Sequence, residues 1–176
     1  MLSIECTHAA VVACHASPAA LDSLPAVDGA FGCRVAPDEL LLVAPAAQLA
    51  ESVRQATEYF ARIEPSALVC DQSDGWSAFS LRGDEAPSVF AQLSAVPLPR
   101  EYPAFAQGAV AGGGAKILSF EGVIHLLVPS TLRHHVATRL QDVSEGGPLL
   151  PDSAGSFGSG TTAPSDIDGA AAPALR

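Results

Sequence analysis

The sequence predicts an α+β fold: a single domain of two similar strand–helix half-units, followed by a tail. Three observations carry this. Two stretches, DELLLVAPAAQLAESVRQA and GVIHLLVPSTLRHHVATRL, share one plan of turn, apolar strand, proline and amphipathic helix. Between them Ser77 to Arg82 alternates with period two, as a strand does. After residue 143 the apolar periodicity stops.

Residues 1–8 show no period and read as a loose lead-in. Ala9 to Ala16 reads as a short strand, and Ser17 to Ala30, with Pro18, Pro25 and Gly29, as a connection containing a helical turn. Phe31–Ala36 and Glu39–Ala44 flank the turn dipeptide Pro37-Asp38 and predict a hairpin. Its second arm, Leu40 to Val43, has no polar side, so it should be covered on both faces. Pro45 sits where a helix can begin, since the first turn has no use for its missing N–H. Leu49, Val53, Ala56, Phe60 and Ile63 then form one helical stripe, ended by Glu64-Pro65.

A strand is expected at Ala67–Cys70, then a polar turn, Asp71 to Trp76, then the period-two strand with one face buried. Asp84 is placed to cap a helix carrying Val89, Phe90 and Leu93. Arg100–Ala106 reads as a loop with Tyr102 and Phe105. Gly108–Phe120 reads as a strand interrupted by three glycines, with Glu121-Gly122 turning into a return strand at Val123–Val128. The last helix places Leu132, Val136, Leu140 and Val143 on one side.

The domain is therefore assigned to residues 1–143, and residues 144–176 to an acidic tail rich in Gly, Pro, Ser and Ala. Glu145, Asp152, Asp166 and Asp168 against Arg176 leave the tail at −3. It buries too little apolar area to offset its ordering entropy, and disorder is expected.

Charge excludes several functions. Nine Lys and Arg against nineteen Asp and Glu give −10, which repels nucleic-acid phosphates and anionic membrane surfaces. The N-terminus MLSIECTHAA has no cationic region before an apolar run, and no stretch approaches the ~18 apolar residues of a span. A cytoplasmic location is expected. Cys6, Cys14, Cys33 and Cys70 form no CxxC pair and are expected as buried thiols.

The search for chemistry is mostly negative. Gly112 to Gly114 precede a strand, not the helix a phosphate loop needs, so a bulge or close backbone approach is expected. His134 and His135 point about 100° apart on a helix and cannot share a metal; His134 should face solvent and His135 the helix edge. His125 lies on an apolar strand, and Lys116 is the sole lysine. GxSxG, HExxH and GxGxxG are absent. No catalytic or metal residue is assigned.

Leu68-Val69-Cys70-Asp71-Gln72-Ser73-Asp74-Gly75-Trp76, followed by Leu81-Arg82-Gly83-Asp84-Glu85-Ala86, resembles the central block of the gamma subunit of heterotetrameric sarcosine oxidase. That family carries an Asp-Gln-Ser-Asp turn and then a Leu-x-Gly-x-x-Ala element. Pro37 to Pro45 is similar to the family's strand into its first long helix, and Leu127-Val128-Pro129-Ser130 to its later strand-to-helix junction. The resemblance spans residues 30–142. It departs at Ser130, which follows Pro129 directly where the family places an arginine between them.

The resemblance implies a fragment of the aminomethyltransferase (folate-binding) architecture. It implies a non-catalytic accessory subunit of a flavoenzyme complex that demethylates sarcosine to glycine. FAD, FMN, NAD, tetrahydrofolate and zinc would then sit in larger flavoprotein subunits, the expected partners, and none in this chain. Trp76, Tyr102 and Phe105 are the expected interface anchors. A second reading is a stand-alone folate-binding protein of the aminomethyltransferase type, with Asp71 on the pterin amino groups. A third is a non-enzymatic assembly or regulatory module tethered by its tail.

Overall fold

A computed structural model describes residues 1–98, 104–120 and 122–144. The predicted tail beyond Ser144, Tyr102 and Glu121 lie outside the described residues. Nine strands and four α-helices are described. They are β1 (Ser3–Thr7), β2 (Ala9–His15), α1 (Pro18–Asp22), β3 (Phe31–Ala36), β4 (Glu39–Pro45), α2 (Leu49–Ile63), β5 (Leu68–Asp71) and β6 (Trp76–Arg82). There follow α3 (Ala86–Leu93), β7 (Ala104–Val110), β8 (Gly113–Phe120), β9 (Val123–Pro129) and α4 (Arg133–Val143).

The strands form two antiparallel sheets, β3-β4-β2-β5 and β1-β6-β9-β8-β7. Alternation along each strand sends side chains to two different cores. Val11, Ala13, Leu41 and Val43 of the first sheet meet Ala78, Leu118 and Leu127 of the second, so the sheets pack face to face. On its outer face the first sheet packs Val12, Cys14 and Leu42 against Leu21 of α1 and Ala56 and Phe60 of α2. The second sheet packs Phe79, Leu81, Ile117 and Leu126 against Val89 and Phe90 of α3 and Val136 and Leu140 of α4. The result is four layers, helix–sheet–sheet–helix.

The internal repeat is visible in register. In β2–β4 Ala9 pairs with Pro45, and in β6–β9 Trp76 pairs with Pro129, seven pairs deep in each case. Both prolines lead through a short 3-10 turn, Ala46–Gln48 or Ser130–Leu132, into α2 or α4. The first half is β2-α1-β3-β4-α2-β5, a βαββαβ unit of the ferredoxin-like type. The second is β6-α3-β7-β8-β9-α4, with β7 an added strand at the far edge beside β8, and β1 fills the edge place beside β6 that β5 holds beside β2. The half-units are thus as expected, and each builds its own sheet.

Other expectations are corrected. Residues 3–7 are a strand, not a lead-in, because the second half lacks a last strand of its own and the N-terminus supplies it. Strand β6 is buried on both faces, since the small Ala78 and Ser80 face the opposite sheet. Ile63 ends the α2 stripe exposed, and buried Ser52 and Tyr59 join the stripe instead. Helix α3 begins after Glu85, with no side-chain cap from Asp84; Ala86 N–H donates to the Gly83 carbonyl. The glycine run divides two strands instead of interrupting one. Ala111 (φ 50°) and Gly112 (φ 83°) form the tight left-handed turn of the β7–β8 hairpin. Residues 104–106, read as loop, belong to β7.

Candidate functional site

The chain crosses between the sheets twice at one end of the sandwich. Thr7-His8-Ala9 passes from β1 to β2, and Asp71 to Trp76 passes from β5 to β6. The second crossing carries the most distinctive local sequence, and its bonding is explicit. Asp71 Oδ1 accepts the Ser73 N–H at 2.9 Å and the Ser73 hydroxyl at 2.6 Å. Ser73 Oγ in turn accepts the Val11 N–H at 3.0 Å, and Gln72 N–H donates to the Val11 carbonyl at 2.8 Å. The Ser73 hydroxyl and then its backbone N–H hold the Asp71 carboxyl below its ordinary value. Asp71 is therefore an Asx-turn residue that fastens the crossing to β2. Both Ser73 bonds fall on Asp71 Oδ1.

The 3-10 turn Ser73–Gly75 lies against the 3-10 turn Ser130–Leu132. Beside them opens a cleft of about 250 Å³. Thr7 and His8 line it from the first crossing, Asp74 and Ser77 from the second, and Ser130 and Arg133 from the start of α4. Thr7 is buried, while His8, Asp74, Ser130 and Arg133 are exposed. One carboxylate, one guanidinium, one imidazole and several hydroxyls thus share a small polar opening. Sequence reading missed it, because its walls come from three segments up to 127 positions apart, from Cys6 to Arg133.

The other singled-out residues have structural places. His125 is 1% exposed; its Nδ1 lies 2.8 Å from the hydroxyl of Ser80, its cross-strand partner. Burial, then nearby Arg82, pushes the His125 imidazole down to about 3. Its ring stacks on Phe120 at 4.7 Å, and Phe120 stacks on Phe31 of the other sheet at 6.0 Å. His135 is exposed, and its Nε2 donates to the Ala111 carbonyl at 2.8 Å, tying α4 to the β7–β8 turn. His134 is exposed as expected. Lys116 donates to Gln107 Oε1 at 2.6 Å, and Gln107 donates to the Val35 carbonyl, joining the sheets at their β7 and β3 edges.

Cys6, Cys14 and Cys33 are buried and Cys70 half-buried, all as free thiols. Burial raises Cys14, with a contribution from Cys70, to about 12, and raises Cys33 further. Among the described residues no three His, Cys, Asp or Glu converge on a metal position, and no helix is long and apolar enough to cross a membrane.

Trp76 and Phe105 are half-buried and pack against the inter-sheet core. The large apolar side chains most open to solvent among the described residues, besides Met1, are Ile63 at 57% and Leu68 at 56%. They flank the four-residue link from α2 to the edge strand β5.

No protein-family model matches the chain, and no curated protein matches its sequence. Solved structures do match its fold. A chain of the heterotetrameric sarcosine oxidase from Corynebacterium sp. U-96 superposes with a TM-score of 0.66 at 20% identity, covering 85% of this chain and 87% of that one. The glycine cleavage system aminomethyltransferase T from Bartonella henselae gives a TM-score of 0.59 at 14% identity. There the match covers 85% of this chain but 48% of the aminomethyltransferase, so the chain spans about half of that architecture. The fold is that of a fragment of the aminomethyltransferase, α+β with two antiparallel sheets.

Proposed function

We propose that the chain is the small accessory subunit, of the gamma type, of a sarcosine-oxidase-like flavoenzyme. One observation carries the reading: the similarity to a chain of the heterotetrameric sarcosine oxidase runs nearly end to end in both chains, at 85% and 87%. The aminomethyltransferase similarity leaves half of the larger protein unmatched, which favours a subunit over a stand-alone folate enzyme. In this reading the larger flavoprotein subunits hold FAD, FMN, NAD, tetrahydrofolate and zinc, and demethylate sarcosine to glycine. Residues 1–143 supply the structural domain, and residues 144–176 a tail outside it.

Its contribution is interface area, on the order of 1,200 Å² or more for a stable contact. Trp76, Phe105 and Tyr102 remain candidate anchors, joined by the exposed Ile63 and Leu68. The test is affinity isolation of the tagged full-length chain from its native host, with a visible spectrum of the eluate. Flavin bands with larger co-eluting chains support the reading; a lone colourless protein overturns it.

A further inference from the structure

We propose that the free edge of β5 takes an added strand from a larger subunit, an extended segment apolar on both faces with a Lys or Arg beside Asp71. Such a partner comes from the subunit reading, on which this assignment rests.

Hydrogen bonding defines the edge. Gln72 N–H donates to the Val11 carbonyl, and opposed residues of an antiparallel pair exchange bonds at every second position. Leu68 opposite His15 and Cys70 opposite Ala13 therefore bond to β2, and Val69 and Asp71 turn their N–H and C=O groups away from it. The other flank of β2 agrees: Ala16 N–H donates to the Asp38 carbonyl, so Cys14 and Val12 are the residues bonded to β4. Strand β5 is last in its sheet, and no described residue pairs with its outward backbone groups.

The other three edges carry the protections that natural sheets use. Strand β3 has a register shift between Arg34 and Ala36 and the charge of Arg34. Strand β1 carries Glu5 at its middle. At β7 the Ala109 carbonyl accepts the Ser94 hydroxyl, and Ala111 N–H donates to the Leu93 carbonyl. Leu68-Val69-Cys70 has no charge, proline or bulge.

The flanking side chains specify the occupant. On one face stand Leu68, 56% exposed, and half-buried Cys70. On the other stands Val69, with Ile63, 57% exposed, at the end of α2, the helix that packs on β5. An added strand thus meets apolar side chains on both faces. Asp71 uses Oδ1 for Ser73 and is exposed, so Oδ2 is open to a cation. A second copy of the chain fits worse, since it sets −10 against −10 and brings another Asp71 to the same edge.

The test uses the full-length chain and its complex. Val69→Pro deletes one outward N–H and none of the bonds to β2, and proline is tolerated at such edge positions. It should cut the yield of co-purified flavoprotein chains at least about tenfold, at a urea midpoint near the native one. In the wild-type complex, amide exchange at Val69 and Asp71 should slow at least about tenfold relative to the isolated chain. Leu68 and Cys70, already bonded to β2, should change little. This second readout decides the matter if the proline variant fails to fold. A complex retained by folded Val69→Pro, or unchanged exchange at Val69 and Asp71, overturns the proposal and leaves the subunit reading standing. A wild-type chain that isolates alone overturns both. A dimer of the isolated chain that Val69→Pro dissolves overturns the assignment in favour of a second copy.

Discussion

Ser73 and Val11 are 62 positions apart, yet the Val11 N–H donates to Ser73 Oγ at 3.0 Å while that hydroxyl donates to Asp71 at 2.6 Å. One side chain thus ties the crossing between the sheets to a central strand of the first sheet. Val11 is fully buried, so losing the acceptor would leave its N–H without a partner away from water. Ser73→Ala should destabilise the fold by about 1–2 kcal/mol, read as a lower urea midpoint at unchanged m-value. A change of a few tenths would mean that water replaces the hydroxyl and the crossing is not held here.

Gly83 stands in the Leu-x-Gly-x-x-Ala element at φ 102°, and a Cβ there would collide with the Met1 carbonyl oxygen. Leu81 before it and Ala86 after it are buried at 0% and 1%. The element therefore turns the end of β6 into α3 beneath the N-terminal strand. Gly83→Ala should cost about 1–3 kcal/mol. Gly114→Ala is the control, in a strand with open space at the Cβ position and ordinary φ, and should stay within about 0.5 kcal/mol of the native chain. Equal effects at both sites would refute the steric account.

Legibility of this fold in the sequence followed how local each signal was. The hairpin at Pro37-Asp38, the helix after Pro45 and the strand–proline–helix repeat rest on neighbours in sequence, and all appear. Strand β1 was missed because SIECT carries two polar and one acidic residue, and its strand status comes from pairing with β6 about 75 residues later, Ser3 to Arg82 at one end and Thr7 to Ala78 at the other. The inner face of β6 was missed because alanine and serine look alike whether they face water or a second sheet. The close approach expected of the glycine run holds at Gly113, where a Cβ would lie 2.5 Å from Leu132 Cδ1, but the hairpin turn was missed because positive φ at Ala111 has no sequence signature. The cleft is the extreme case, since only the pairing of the two half-units assembles it.

His125 ties stability to pH. The unfolded imidazole titrates near 6.5, while the folded one is pushed to about 3 by burial, with Arg82 adding to the effect. Between those values the unfolded chain binds a proton that the native chain refuses. Stability is therefore full above pH 6.5 and falls as pH drops towards 3, by at most about 1.4 kcal/mol per pH unit from this residue. His125→Gln should be less stable at pH 7, yet lose less on acidification from pH 6.5 to 5, a window chosen above most carboxylate titrations. Urea midpoints for both chains across that window decide it; parallel slopes would remove His125 as the cause.

Ile63 and Leu68 are exposed at a sheet edge where no core needs them, so charge there should leave the fold intact. If the chain docks larger subunits through this corner, Ile63→Glu with Leu68→Glu should abolish co-purification while shifting the urea midpoint little. Retained co-purification would move the interface to the Trp76 and Phe105 side.

Thiol chemistry separates the four cysteines by depth. A thiol reacts as its thiolate, and burial holds Cys14 up near 12 and Cys33 higher still, so neither forms that anion in the native chain at pH 8. Cys70 is half-buried on the edge strand β5 and reachable from solvent. Iodoacetamide at pH 8 should therefore label Cys70 first, with Cys14 and Cys33 modified only at the rate of unfolding. Mass spectrometry of timed digests would show this order. Early labelling of Cys14 would mean that β5 detaches from β2 in the native ensemble, since Cys14 pairs there with Val69. That opening would in turn expose the Asp71–Ser73 turn, and Ser73→Ala should then accelerate Cys14 labelling in proportion to its loss of stability.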